Sequence, residues 1–538
     1  MAKYSDEIRV LDFLCKQKEP LLLKQINIGL SLRFKDRALL AILNSLVENK
    51  RIEKYGETNN AKYFIDDILR YYQKYEFLYV HKDCEVAGYF YKLNDRYRFI
   101  YATNFLTNLS SEIATIKLTT KYHDYKEIPP VFEENIPEGI NREILETNTK
   151  ESIEFNLLVK LKDNIGDLYF SKSSESIDSE LMHGQSYLTL LEDILGTNNK
   201  IEVLEDFEIG LEEKHIFPEN YDLTKQEIKK SDGISGFQYK KLVNIDFEEK
   251  KIVVDSEVSK EYILKPYSKL KANPHNTHYF PHISINEHLF ISFAKNELNF
   301  RVPYSAILKR EEDEEYHYII KRFDRYGMHR FSKNTFAPFL GLVSDTKYDT
   351  TSEKLFKRIS KEIINPNERM QLLKHYVYSV IIVHEDMHTK NLSLIMEKDK
   401  VLFAPLYDIA CTGVYETSKG YESHLTINGK QTNIRPNDFK ELCRILNINF
   451  IEFKKEASVI ADKYIKELPS YFDELEKLGE FPFYKSKIKQ KAGEQADWVR
   501  TQDNKTFIDA LRKFHKERSE KLTEMNWVIK TYKEIQSN

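Results

Sequence analysis

The sequence predicts an α+β protein with a small helical head, a β-rich part and an α-helical part. Three observations carry that prediction. The first 65 residues hold three short helical stripes followed by an alternating hairpin pattern. Next, the aromatic and β-branched runs Phe77–Val80, Val86–Tyr91 and Tyr97–Tyr101 are separated by turn residues, as in successive strands. From residue 435 onward, apolar positions such as Phe439, Leu442, Ile445 and Leu446 recur at helical spacing in a charged background. A chain of 538 residues exceeds one hydrophobic core. The expected division is 1–72 for the head, 73–210 and 211–330 for two β-rich parts and 331–538 for the helical part. No Gly/Ser or Pro tract separates these parts, so they are expected to pack against one another.

In the head, Ser5 is placed to cap a helix whose inward stripe is Ile8, Leu11 and Leu14. A short helix over Leu22–Ile28 ends at Gly29, and a third begins near Lys35 with Leu39, Ile42, Leu43 and Leu46 inward. Arg51–Tyr55 and Ala61–Ile65, joined through Gly56–Asn60, read as a hairpin. That order is the winged helix-turn-helix, in which the third helix enters the DNA major groove and the hairpin touches backbone. Arg33, Lys35 and Arg37 fall near the start of that helix. Residues 1–65 carry twelve Lys/Arg against eight Asp/Glu, a balance of +4, on a chain whose net charge is −4. A basic head on an acidic body suits operator DNA; a protein-interaction module is the alternative, and a separate protein partner fits it equally.

Composition narrows the class. With 41% apolar and 31% charged residues the chain reads as an ordinary soluble protein. The longest apolar stretch, Tyr376–Val383, is far too short to span a bilayer, and the start lacks the apolar core of a signal peptide. Cys15, Cys84, Cys411 and Cys443 form no C-x-x-C pair, so neither a disulfide framework nor a cysteine zinc site is indicated. The expectation is a cytoplasmic protein without a membrane partner.

The most informative stretch is His384-Glu385-Asp386-Met387-His388-Thr389-Lys390-Asn391. Its first five residues spell H-E-x-x-H, the pattern in which two histidines one helical turn apart bind zinc and the glutamate acts as base. In another frame it gives D-x-x-x-K-N, with Asp408 seventeen positions after Asn391. Phosphoryl transfer needs such a set: a carboxylate to accept a hydroxyl proton, and an amide oxygen and a second carboxylate to hold magnesium. The two apolar runs Leu392–Met396 and Val401–Phe403 flank a charged turn and read as a hairpin, which would return Asp408 beside Asn391. The second frame therefore accounts for more residues than the zinc hydrolase.

At this point the sequence resembles the HipA family, the kinase toxins of bacterial toxin–antitoxin pairs. His384–Ser393 and Ala404–Ile409 are similar to its catalytic and metal-binding loops. Ile128–Gly139, Phe155–Leu158, Asp163–Leu168, Ile234–Lys240, Asn286-Glu287 and Arg322–Arg325 follow the family's order from about residue 78 to 430. The head lies outside the resemblance. What it implies is a bilobal, HipA-like serine/threonine protein kinase using ATP and Mg2+, with residues 73–210 as an extra amino-terminal subdomain of a β-rich first lobe and 331–538 as a helical second lobe. Asp386 would be the base, His388 a loop-positioning residue, Lys390 a γ-phosphate stabiliser, and Asn391 and Asp408 the magnesium ligands. Gly233, Ser235 and Gly236 would form a phosphate loop, Lys265 would reach the α/β-phosphates, and Glu287 would hold Lys265. The strand through Lys321 and Phe323 would lead to the adenine-binding hinge, and Tyr407 would pack near adenine. Known targets in the family include aminoacyl-tRNA synthetases, so the substrate expected is such a synthetase or another translation factor, and an antitoxin partner is implied as well.

Three departures qualify the resemblance. Gly233 stands where relatives carry an autophosphorylated serine, which moves any self-modification to Ser235 or Ser231. Lys321 stands where glutamate is usual, and Ser332–Thr335 replaces a Gln-Glu-Asp segment. From another class, the alternative is a catalytically silent DNA-binding regulator with a kinase-like body; the intact set Lys265, Asp386, Asn391 and Asp408 argues against it.

Overall fold

The computed structural model describes residues 5–57, 60–82, 85–108, 112–149, 154–160, 164–175, 186–218, 221, 238–254, 260–268, 280–327, 329–397, 400–415, 418–489 and 497–529. The expected phosphate loop, with Ser231, Gly233, Ser235 and Gly236, lies outside the described residues.

The head contains helices Asp6–Cys15, Leu23–Gly29 and Asp36–Glu48 and a three-stranded sheet in the order Leu21–Leu22, Lys62–Ile65, Ile52–Tyr55. Ser5 Oγ accepts the Ile8 N–H at 3.2 Å, capping the first helix. Ile8, Leu11 and Leu14 meet Leu39, Leu43 and Leu46 in the interior, and Arg33, Lys35 and Arg37 remain exposed. Arg51 does not add to that basic surface. It is fully buried, its guanidinium donating to the carbonyls of Tyr101 at 2.7 Å and Thr120 at 2.9 Å and to Thr103 Oγ1 at 3.3 Å. Glu7 accepts from Thr120 Oγ1 at 2.6 Å across the same seam. Head and subdomain are thus packed together.

That subdomain is a five-stranded antiparallel sheet ordered His123–Tyr125, Tyr97–Tyr101, Glu85–Lys92, Glu76–Lys82, Leu168–Ser171. Phe132 lies over it, its ring 5.0 Å from Phe90, 5.5 Å from Phe99 and 5.1 Å from Phe170, edge to face.

A six-stranded sheet follows in the order Ser305–Leu308, His317–Lys321, Tyr262–Lys265, Lys241–Asp246, Lys251–Val253, Glu208–Ile209. It recruits Glu208–Ile209 from before the expected boundary at 210, because the last strand pairs in parallel with Lys251–Val253. Helix Ile283–Asn296 packs on this sheet, and every residue from Ser284 to Ala294 is buried. A helix buried on all sides carries little amphipathic signal.

The second lobe is built on helices Pro366–Ile382, Phe450–Glu467 and Phe507–Glu524, the first of which packs on the hairpin Ser393–Glu397/Lys400–Phe403. Asn365 caps the first of these, Pro366 occupies its first turn, and Val383 ends it in a left-handed conformation, φ 56°. His384 therefore begins a loop. The expectation of an unbroken helical tail needs correction: strands Pro482–Lys489 and Asp497–Thr506 form a hairpin ahead of the last helix. Phe481 and Phe483 are buried, and the Phe507 N–H donates to the Phe481 carbonyl at 2.8 Å. The period-two alternation of Lys485-Ser486-Lys487-Ile488-Lys489 marks this strand, although its lysine content reads as a solvated helix face.

Candidate active site

One cavity of about 1180 Å³ between the lobes is lined by Lys265, Glu287, Lys321, Phe323, Asp386, His388, Lys390, Asn391, Tyr407 and Asp408. Every described residue assigned to the site from sequence therefore reaches the same space.

Strand pairing fixes the cationic wall. Lys265 ends its strand opposite Tyr318. Its ammonium lies 2.6 Å from Glu287 Oε1 and 2.5 Å from Asp408 Oδ1, over the face of the Tyr318 ring. Burial opposes the lysine charge, but Asp408 and Glu287 outweigh it and raise the pKa. For Asp408 burial opposes ionisation, while Lys240 and Lys265 hold its carboxyl well below the usual range. Lys240, whose ammonium is 3.5 Å from Asp408 Oδ2, was not singled out from sequence. Its signal was weak: one lysine among many, at the end of the glycine-containing segment.

The segment around Asp408 is held from two sides. Asn286 Nδ2 donates to the Cys411 carbonyl at 2.9 Å, and the Cys411 N–H donates to Asn286 Oδ1 at 2.8 Å. His384 Nδ1 lies 3.0 Å from the Ala410 carbonyl oxygen. Asp408 itself adopts φ 53°, a left-handed conformation unusual for a residue with a side chain.

These contacts overturn the zinc reading. The Glu385 carboxylate is taken up by Ser418 Oγ and the Lys419 N–H, each donating to it at 3.0 Å. The motif is a loop, so its histidines do not share a helix face. Among the described residues no three His, Cys, Asp or Glu side chains group to hold a metal.

In the catalytic-type loop the Asp386 side chain is 58% exposed, and its Oδ1 accepts the Tyr348 hydroxyl at 2.6 Å. His388 is buried, which pushes its pKa down to about 4, and its Nδ1 accepts the Lys390 N–H at 3.2 Å. The neutral ring therefore carries its proton on Nε2, 4.0 Å from Asp386 Oδ2. Asn391 Nδ2 donates to the Asp386 carbonyl at 2.9 Å, which leaves the amide oxygen as the acceptor for a ligand. An amide oxygen and a carboxylate are the hard donors that magnesium takes, so Asn391 and Asp408 fit that ion.

The structure places Lys390 in a network that sequence did not reveal. Its ammonium lies 2.8 Å from Glu138 Oε1, 2.5 Å from Ser344 Oγ and 3.5 Å from Glu133 Oε2; Lys347 meets the other Glu138 oxygen at 3.1 Å. Glu133 and Glu138 come from the segment over the five-stranded sheet, so this subdomain reaches into the site. The Lys321 N–H is taken by the Tyr304 carbonyl at 2.8 Å. Phe323 and Tyr407 stand 5.3 Å apart, and the Lys333 ammonium lies over both rings, 5.3 and 4.7 Å from their centroids. Tyr407 donates its hydroxyl to the Lys390 carbonyl at 2.8 Å, fixing it to the loop.

The family description "HipA-like C-terminal domain" matches residues 233–472. The chain carries a HipA-like domain. The solved structure of the Shewanella oneidensis MR-1 toxin–antitoxin system HipA, HipB and its operator DNA complex is similar in fold, with a TM-score of 0.55 at 15% identity, covering 86% of this chain and 99% of that one. Two Sinorhizobium fredii proteins named provisionally as kinases also match. Y4mE is 27% identical over 107 residues, covering 18% of this chain, and Y4dM is 31% identical over 97 residues, again 18%. The chain spans about a quarter of the length of these relatives, 26% and 24%. The likeness to the HipA family read from the motifs holds for the domain and for the mixed α/β fold. Among the described residues no helix is long and apolar enough to cross a membrane.

Proposed function

We propose that the chain is a HipA-type serine/threonine protein kinase that transfers the γ-phosphate of magnesium ATP to a bacterial protein and thereby restrains growth. The observation that carries this reading is that buried Lys265 joins buried Glu287 to partly exposed Asp408, with Asn391 and exposed Asp386 lining the same cavity. Bound magnesium ATP supplies the transferable phosphoryl group. Lys265 and Lys240 offset phosphate charge, and Asn391 and Asp408 would hold the metal. Asp386 orients the acceptor hydroxyl and takes its proton, while neutral His388 holds the loop. Lys390 would support the γ-phosphate, with Glu138 and Glu133 holding its ammonium in register. The substrate class is a synthetase or another translation factor.

The test is direct. Magnesium ATP should raise the melting temperature of the full chain, and Asp386→Gln or Asp408→Asn should abolish phosphoryl transfer without unfolding it. Wild-type protein with no nucleotide-dependent shift would overturn the reading.

The head extends the proposal to DNA. Arg33, Lys35 and Arg37 are exposed near the start of the third helix, which in a winged helix would meet DNA, and the similar Shewanella structure holds an operator complex. Arg33→Glu with Arg37→Glu should remove a salt-sensitive electrophoretic shift on promoter DNA. Absence of any shift by the wild type at low salt removes the DNA role and leaves the head as a protein contact, for an antitoxin or another partner.

A further inference from the structure

We propose that Tyr348 is the chain's own phosphoacceptor: a tyrosine that the fold holds at the hydroxyl position served by Asp386. The inference rests on the kinase reading above. A general base identifies its nucleophile by accepting a hydrogen bond from it within about 2.6–3.2 Å. Tyr348 meets that criterion, its hydroxyl donating to Asp386 Oδ1 at 2.6 Å.

The placement is built into the surrounding structure. Thr389, in the same loop as the base, bonds the backbone of the residue before Tyr348: its Oγ1 donates to the Lys347 carbonyl at 2.8 Å. The Tyr348 ring is wedged between two histidines, edge-on to His388 at 4.9 Å and tilted against His424 at 4.2 Å. Tyr348, Asp386, His388 and Asn391 all line the cavity that holds Lys265 and Asp408. The acceptor thus needs no loop movement to reach the base.

In the step proposed, the Tyr348 oxygen forms a bond to the γ-phosphorus of ATP as the bond from that phosphorus to the β,γ-bridging oxygen breaks. The phenolic proton passes to Asp386, and ADP leaves. Once Asp386 releases that proton to solvent, a phosphate dianion stands beside its carboxylate, and their repulsion drives the modified ring away from the base. The base is then open to an external hydroxyl, so self-phosphorylation clears the site for substrate.

The experiment uses the full chain incubated with magnesium ATP, followed by peptide mass spectrometry and a parallel nucleotide thermal-shift measurement. Phosphate is expected on Tyr348, with an initial rate per molecule that does not change on dilution. Asp386→Asn protein mixed with wild type should stay unlabelled, because the reaction is intramolecular. Tyr348→Phe keeps the ring between the two histidines and should lose this label. Phosphate on Ser231, Ser235 or another residue, with Tyr348 unmodified, overturns the proposal while leaving the kinase reading intact. Labelling of the Asp386→Asn chain overturns the intramolecular step. Failure to bind nucleotide or transfer phosphate at all overturns both readings together.

Discussion

Replacing Lys265 by Met isolates what one buried cation does for two carboxylates. Lys265 is 4% exposed, with Glu287 at 2.6 Å and Asp408 at 2.5 Å. After the substitution Asp408 keeps Lys240 at 3.5 Å, whereas Glu287, 5% exposed, loses its hydrogen-bonded cation. Methionine preserves the apolar stem, so the main cost is the uncompensated carboxylate, about 3–5 kcal/mol for a broken buried pair. Burial already raises the Glu287 pKa against the pull of Lys265, and removing the lysine raises it further. An acid with a raised folded-state pKa binds protons more readily folded than unfolded, so its contribution is favourable below the unfolded value of about 4.3 and is lost as pH rises through the folded one. The penalty should therefore be largest at neutral pH and shrink toward about pH 5. Lys265→Met combined with Glu287→Leu removes both charges and should recover stability to within about 1 kcal/mol of wild type. Urea denaturation followed by circular dichroism at the two pH values measures all three. A single-mutant cost below about 1 kcal/mol, the range of exposed pairs, or one independent of pH, would refute the account of this cluster.

Two further outcomes are expected. Arg51→Met leaves the Tyr101 and Thr120 carbonyls without their charged donor, so at about 1.5–3 kcal/mol per charge-assisted bond the head should undock before the rest unfolds; earlier hydrogen exchange across residues 5–65 than in wild type would register it. His388 has its pKa lowered from 6.5 to about 4, so the unfolded chain takes up its proton first and stability should fall as pH drops between those values, by about 3 kcal/mol at 1.36 kcal/mol per unit. His388→Gln should flatten that slope in pH-dependent thermal melts, and an unchanged slope would assign the acid sensitivity to other buried histidines such as His288, lowered to about 3.

Local signals in the sequence were legible because each needs only neighbouring residues. Ser5 caps its helix, Lys265 ends its strand, and the Ser393–Phe403 hairpin brings Asn391 and Asp408 to one cavity as the spacing predicted. The contacts that escaped are between residues far apart in the chain. Glu138 meets Lys390 across 252 positions and Arg51 meets Thr120 across 69, and neither pairing leaves a periodicity to read. Tyr348 precedes the base by 38 positions in a loop without motif, so its hydroxyl emerges only from the fold. The hairpin ahead of the last helix is obscured for a different reason: its lysine-rich composition suits a solvated helix face and conflicts with the alternation.

The buried guanidinium of Arg51 joins more than two surfaces. It grips the carbonyl of Tyr101; Phe99 on that strand packs on Phe132, and the next residue, Glu133, faces Lys390 at 3.5 Å. Head and loop are thus the ends of one continuous run of packed side chains and charge pairs. Equilibrium imposes a symmetry on such an arrangement. If a ligand on the head changes nucleotide affinity by some factor, nucleotide must change the affinity of that ligand by the same factor, whichever of the two binds first in the cell.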